Sequence, residues 1–261
     1  MRVITLLTDF GLEDGYVAAM KGVVATIAPE ARVVDVTHLI PSQDVASGRF
    51  RLLTVAPYFP PGTIHLAVVD PGVGTSRRAV AIRSASGSYF VGPDNGLLLG
   101  ALEADPPETA VELSESRFWR TTTPSATFHG RDVFAPVAAH LALGVGVGEL
   151  GAPVPQETLV RLELGGWKTI PGGAEGAVQA VDRFGNLISS IPASALAGHA
   201  AWKAFIRGRT VAGHRTYGDV PAGEPLALIG SHGFVEVAVR HGDAKSALRA
   251  GVGDPVQVRL E

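Results

Sequence analysis

The first 155 or so residues switch repeatedly between strand-like and helix-like hydrophobic periods, and that alternation constrains the fold more than any other feature. "VITLLTDF" is a compact apolar run ending near Asp9. "DGYVAAMKGVVATIAPE" then spaces its apolar residues along one helix face, with Asp14 placed to cap its start and Pro29 near its stop. "RVVDVTH" and "TIHLAVVD" read as strands on either side of a second helical stretch, "DVASGRFRLLTVAPYF". "RAVAIRS" and "SYFVGP" follow as strands, and helices are predicted from "NGLLLGALEA" and from "RDVFAPVAAHLALG". A chain ordered this way is expected to form an α/β domain with a mostly parallel central sheet covered on both faces. Such sheets bind ligands at the carboxyl ends of their strands, where Asp9 and Asp70 both fall.

Beyond about residue 155 the pattern changes. "LVRLELGGWKTIPGGAEG" is rich in glycine and reads as a linker or domain edge. Short strand-like pieces follow, from "AVQAVDR" to "DPVQVRL", with turn residues between them at close intervals. That spacing predicts a small β-barrel or sandwich. The expected organisation is an α/β domain over residues 1–160 and a smaller β domain over residues 173–261.

Composition narrows the function classes. Lys and Arg total 22 against 25 acidic residues, a formal charge of −3 that gives no footprint for nucleic acid or an anionic membrane. There is no cysteine, which excludes disulfides and thiolate metal sites. No apolar run approaches the ~20 residues of a membrane span, and the start lacks a signal-peptide pattern. The expectation is a soluble, cytoplasmic protein.

Four segments carry candidate chemistry, each with a plainer alternative. In "VVDPGVGTSRRAV" a β-branched run stops on Asp70, and Arg77 follows seven residues later. The segment lacks the lysine of a phosphate loop, and a strand follows it where a dinucleotide fingerprint needs a helix. It is therefore a structural ion pair across a turn or half of an active site. In "TFHGRDVFAPVAAH", His129 precedes a predicted helix, whose N-terminus favours a neutral imidazole; the alternative is a capping or packing histidine. A metal set of His129, Asp132 and His140 has no supporting H-x-x-x-H or paired carboxylates, so no metal is expected. Asp9 suits a ribose diol, because one carboxylate accepts from two hydroxyls, or else caps the entry to a helix. In "VDRFGNLISSI", Phe184 offers a face for a purine and Asn186 a donor and acceptor for its edge, or the segment is only a hairpin turn.

In order, "TDFG…DGYVAAMKG", "VVDPGVGTSRR", "YFVGPDNGLL", "FHGRDVFAP", "VDRFGNLI" and "GSHGFVEVAV" resemble the S-adenosyl-L-methionine hydroxide adenosyltransferases, hydrolytic relatives of fluorinase and chlorinase. The resemblance spans Thr8 to about Ala247. It implies an N-terminal α/β domain, a C-terminal β-barrel and a homotrimer, with each site between one subunit's N-domain and its neighbour's C-domain, and no cofactor. The implied reaction is S-adenosylmethionine plus water giving adenosine and L-methionine. The family's Asp–Arg–His set falls on Asp70, Arg77 and His129, while Arg78 is shared with the halogenases and is expected to be structural. Asp9 matches the ribose-binding aspartate, and Phe184 and Asn186 the adenine contacts. Asp14, Asp182, Ser231 and Glu236 match positions near the methionine moiety, and Val239 contacts the nucleoside through its backbone. His232 stands where fluorinase has an arginine, Gln43 where the halogenase has a tryptophan, and Gly130 where fluorinase has a serine. Two other readings share this substrate: a halogenase, and a non-catalytic S-adenosylmethionine or adenosine binding module. A carboxylate at Asp70 repels halide and argues against the first.

Overall fold

The computed structural model describes residues 2–103, 105–164 and 166–261. The chain divides into two units, Met1–Leu162 and Glu163–Glu261. Among the described residues, no helix is long and apolar enough to cross a membrane.

The first unit is built on a six-stranded sheet of β1 (Val3–Thr8), β2 (Arg32–Thr37), β3 (Ile64–Val68), β4 (Ala79–Ser84), β5 (Tyr89–Pro93) and β6 (Pro107–Glu112). Their order is β2-β1-β3-β5-β4-β6. Pairing is parallel from β2 through β5, and β4 runs antiparallel to both of its neighbours, so five of the six strands point the same way. Three helices cover the sheet: α1 (Tyr16–Ile27), α2 (Val45–Val55) and α3 (Ala135–Ala142). Both faces are dry, which explains why β3 reads as a continuous apolar run. Its Ile64, Leu66 and Val68 pack with Met20 and Val24 of α1 and with α3. Ala67 and Val69 face the opposite core, with Leu52 of α2 and the Leu97–Leu99 segment.

The chain leaves β1 for β2 on one side, then returns through α2 to β3 on the other. The carboxyl ends of β1 and β3 therefore flank the point where the winding reverses, and a crevice opens at such a point. Thr8 pairs with Val68 in the parallel register, so Asp9 and Asp70 emerge side by side at its rim.

Two local expectations for this unit are corrected. Asp14 does not cap α1: the helix begins at Tyr16, with Gly15 at the capping position and no side-chain hydrogen bond there. Asp44 does cap α2, accepting from the Ser47 N–H. "NGLLLGALEA" is not a helix; it forms one 3-10 turn at Leu99–Ala101, and its Ala104 lies outside the described residues. Gly96 sits at φ +91°, which stops a helix there, and the Asn95 side chain turns back to bond the Val69 carbonyl and the Leu97 N–H.

In the second unit, the Gly-rich segment read as linker carries a strand, β7 (Lys168–Ile170), although its Gly165 lies outside the described residues. β8 (Gly173–Val181), β9 (Leu187–Pro192), β10 (Trp202–Ile206), β11 (Arg209–Ala212), β12 (Pro225–Ile229), β13 (Phe234–Val239) and β14 (Pro255–Leu260) complete an antiparallel sheet. Its path is β11-β10-β14-β8-β9-β13-β12, with β7 beside β8. A bridge from Gly213 to Ala227 brings the two ends nearly to closure as a barrel. Val178, Ile191, Ala204 and Val237 fill it, and a short helix, α4 (Ala244–Leu248), plugs one side through Ala244 and Leu248. The sequence reading did not include α4.

Candidate active site

Residues 70–77 form two successive turns. The Val73 N–H donates to the Asp70 carbonyl (3.2 Å), and the Thr75 N–H and hydroxyl both donate to the Gly72 carbonyl (3.1 and 2.7 Å). The second turn needs Gly74 at φ +78°, and a Cβ there would stand 2.6 Å from the Ala126 carbonyl oxygen. The turns fold Arg77 back onto the strand end it came from. Arg77 Nε donates to Asp70 Oδ1 (2.9 Å) and Nη2 to Oδ2, a two-pronged pair that is nearly buried. The guanidinium also lies over the Phe134 ring, 5.2 Å from its centroid.

Arg77 Nη2 has a second partner, His129 Nδ1, at 3.0 Å. A guanidinium only donates, so Nδ1 accepts and the ring proton sits on Nε2. Burial and the Arg77 charge both hold the His129 pKa below the ordinary 6.5, against a smaller opposing pull from Asp70 and Asp132. The site thus contains a carboxylate with unused lone pairs, a cation fixed between two acceptors, and a neutral imidazole whose N–H is a donor.

Asp70 and His129 line a cavity of about 760 Å³ at the carboxyl edge of the sheet, and Arg77 links the two. Its size is that of a pocket for a small organic molecule. Asp9 borders it, and one oxygen, Oδ2, accepts from the Gln43 N–H (2.8 Å). Gln43 adopts φ +64°, a strained backbone position for a residue with a side chain. An aromatic wall completes this side: Phe10 and Tyr16 each meet Phe128 edge-on and each other at a tilt, with centroids 5.2–5.9 Å apart.

The neighbouring Arg78 points elsewhere. It donates to Asp94 Oδ2 through Nε (2.9 Å) and Nη2 (2.6 Å) and to the Thr158 hydroxyl (3.0 Å), tying the sheet to the segment near Val160. Asp14 is exposed before α1 and does not line the cavity. His140 packs edge-on to Phe118, and Asp132 is taken up by two arginines, so the three residues of the metal reading are engaged separately. Among the described residues, no group of three His, Cys, Asp or Glu is placed to hold a metal ion.

The other candidates belong to the second unit. Asp182 organises the turn from β8 to β9: its Oδ1 accepts from the Phe184 and Asn186 N–H groups (both 2.9 Å), and its Oδ2 from Asn186 Nδ2 (3.0 Å). Phe184 is 75% exposed. Glu236, buried in β13, accepts from the Tyr217 hydroxyl (2.6 Å). The Phe234 N–H donates to His232 Nδ1 (3.2 Å), so His232 carries its proton on Nε2 and gives it to Glu236 Oε2 (3.1 Å). Burial, then Glu236 and Asp182, raise the Tyr217 pKa well above that of an ordinary phenol. Ser231 is exposed in the turn before β13, and the Val239 carbonyl accepts from the Gly242 N–H (3.0 Å) while its side chain is buried.

Residue types gave no signal for Tyr16, Phe128 or Arg131 as cavity residues, nor for Tyr217 beside Glu236. Their places follow from loops that meet only after folding.

The family models for the SAM hydroxide adenosyltransferase N-terminal and C-terminal domains match residues 4–151 and 176–257. This chain belongs to that family. It is 47% identical to an (R)-S-adenosyl-L-methionine hydrolase of Thermus thermophilus, over 99% of this chain and 100% of that protein. It is 45% identical to one of Salinispora arenicola, over 98% and 97% of the two chains. A fluorinase of Actinoplanes is more distant, at 30% identity over 72% of this chain and 71% of its own. Among solved structures, a conserved protein of Thermotoga maritima superposes with a TM-score of 0.91 at 34% identity, covering 98% and 99% of the two chains.

Proposed function

We propose that this protein hydrolyses S-adenosyl-L-methionine to adenosine and L-methionine, by in-line attack of a water-derived oxygen on C5′. The observation that carries this reading is the pairing of Arg77 with both Asp70 and His129, two residues of the cavity wall. The leaving group is a neutral thioether and needs no proton, so the work of the site is to present the nucleophile. Asp70 accepts a proton from water as the C5′–O bond forms and the C5′–S bond breaks. Arg77 stabilises the developing hydroxide, and His129 Nε2–H fixes the oxygen's orientation. Negative nucleophile and sulfonium cation neutralise one another in the transition state, so exclusion of water favours the step. Placing the oxygen in line can itself contribute about 7 kcal/mol or more.

In this reading Asp9 Oδ1 receives the ribose diol, and Phe184 and Asn186 receive the adenine. Asp14, Asp182, Ser231 and Glu236 lie toward the methionine moiety, where acidic groups suit a doubly cationic sulfonium and ammonium pair. Those second-unit residues come from a neighbouring copy in a homotrimer. No metal or cofactor takes part, because nothing in the displacement calls for a Lewis acid. The relatives' names carry the (R) form, which supports (R)-S-adenosyl-L-methionine as the substrate.

Purified protein incubated with (R)-S-adenosylmethionine, chloride and a chelator is expected to release adenosine and methionine, read by chromatography. A halogenated adenosine would establish the halogenase reading, and unchanged ligand the binding module. Loss of turnover with chelator, restored by a divalent ion, would refute the metal-free mechanism.

A further inference from the structure

Asp132 is a second carboxylate beside this site, and the proposed chemistry does not touch it. It is fully buried and takes four hydrogen bonds. Arg120 Nε and Arg131 Nε donate to Oδ1 (2.5 and 2.8 Å), and Arg131 Nη2 and the Ser125 N–H donate to Oδ2 (2.8 and 2.9 Å). Its backbone joins the same loop: the Arg120 N–H donates to the Asp132 carbonyl (2.9 Å), and the Asp132 N–H to the Phe128 carbonyl (3.2 Å). Residues 120–131 therefore close on one carboxylate. Its pKa is held far below the usual carboxylate range, chiefly by Arg131.

That loop supplies Ser125, Thr127, Phe128, His129 and Arg131 to the cavity wall. It also carries Ala126, whose carbonyl is the surface against which the Gly74 turn rests. Arg131 stacks on Phe128, 5.1 Å from the ring centroid, so its bonds to Asp132 brace the aromatic wall as well. Immediately after His129 the backbone makes a π-helical turn over Gly130–Phe134, an irregularity that needs outside support. A buried carboxylate is costly unless every lone pair is satisfied, and an apolar residue would fill the space more cheaply. What the charge supplies here is a fixed loop.

We propose that Asp132 is a positioning residue: it sets the loop so that His129 and the Asp70–Arg77 turn face the same reacting oxygen. The proposal rests on the hydrolytic reading above for its kinetic consequences only. The test compares Asp132→Asn with Arg120→Gln in the full chain. It measures kcat, KM for S-adenosylmethionine and the ¹⁵N shifts of the His129 ring, all on folded protein. In Asp132→Asn, kcat is expected to fall about 10- to 100-fold, the scale of sub-ångström misplacement, with KM within about threefold. The His129 ring is expected to depart from a single Nε2–H tautomer, and Arg120→Gln to show the same changes more weakly. A lower melting temperature with unchanged kcat and ring shifts would overturn the proposal, as would a rise in KM with kcat intact. If Asp132→Asn does not fold, unchanged kcat and shifts in Arg120→Gln overturn it and joint changes support it. If wild-type protein releases no adenosine, the hydrolytic reading fails alone, and the ¹⁵N shifts of the variants still decide the role of Asp132.

Discussion

At the residue scale, two adjacent arginines have opposite fates. Arg77 turns inward to Asp70 and His129, and Arg78 outward to Asp94 and Thr158, because consecutive side chains entering a strand point to opposite faces. Asp70→Asn keeps the shape of the turn and removes the proton acceptor. Its kcat is expected to fall by ~10²-fold or more, with substrate affinity changed much less. A bracing pair alone would instead lower the melting temperature and leave single-turnover rates per folded site near normal. His129 sets a second expectation. Burial and Arg77 hold its pKa below 6.5, so the neutral, Nε2-donating ring persists as pH falls through that value. The acid limb of the kcat profile is therefore expected below pH 6.5, and a limb centred above it would contradict the donor role.

At the element scale, β3 shows how one strand serves both core and site. Its even-numbered residues Ile64, Leu66 and Val68 pack under α1 and α3, and the next residues lead to Asp70 at the cavity. His65, on the opposite face, bonds the Thr5 hydroxyl (2.8 Å) and is enclosed by Phe59 and Phe90. Burial lowers its pKa from 6.5 to about 4. The unfolded chain therefore binds a proton near pH 6.5 that the folded protein refuses until about pH 4. Stability from this group is complete above pH 6.5 and is lost as pH falls toward 4, by roughly 3 kcal/mol in all. Urea unfolding between pH 7 and 4 measures this, and His65→Gln is expected to remove most of the acid-side slope. An identical slope in the variant would assign the loss to other groups. The failed helix at "NGLLLGALEA" belongs to this scale too. Leu97, Leu98, Leu99, Ala101 and Leu102 are all buried, and Arg49 passes against Gly100 to reach Glu103 (2.5 Å), so packing overrode a helical pattern.

For the whole molecule, the proposed trimer makes a prediction that no single chain can. Asp70→Asn disables the first unit's contribution and Asn186→Ala the second's. Each variant alone is expected to be nearly inactive. Mixed and reassembled, they should regain activity at up to about one quarter of sites, because random assortment places an intact first unit beside an intact second unit at that frequency. No recovery after verified subunit exchange would place both contributions within one chain.

Local information was enough for part of this protein. The α/β alternation, the barrel strands and the strand-end positions of Asp9 and Asp70 were legible in the sequence, since apolar period and turn residues act over a few neighbours. The "DPGVGTSRR" turn was legible too, because glycine and proline restrict the backbone wherever they occur. Tertiary structure alone decided which nitrogen of His129 carries the proton, and that Gln43 at φ +64° donates its N–H to Asp9. It likewise decided that Asp132, whose metal reading the sequence already disfavoured, is the anchor of a loop. Those outcomes depend on contacts between segments 34 to 52 residues apart, or on loops that close only when the core is packed, and no local preference encodes them.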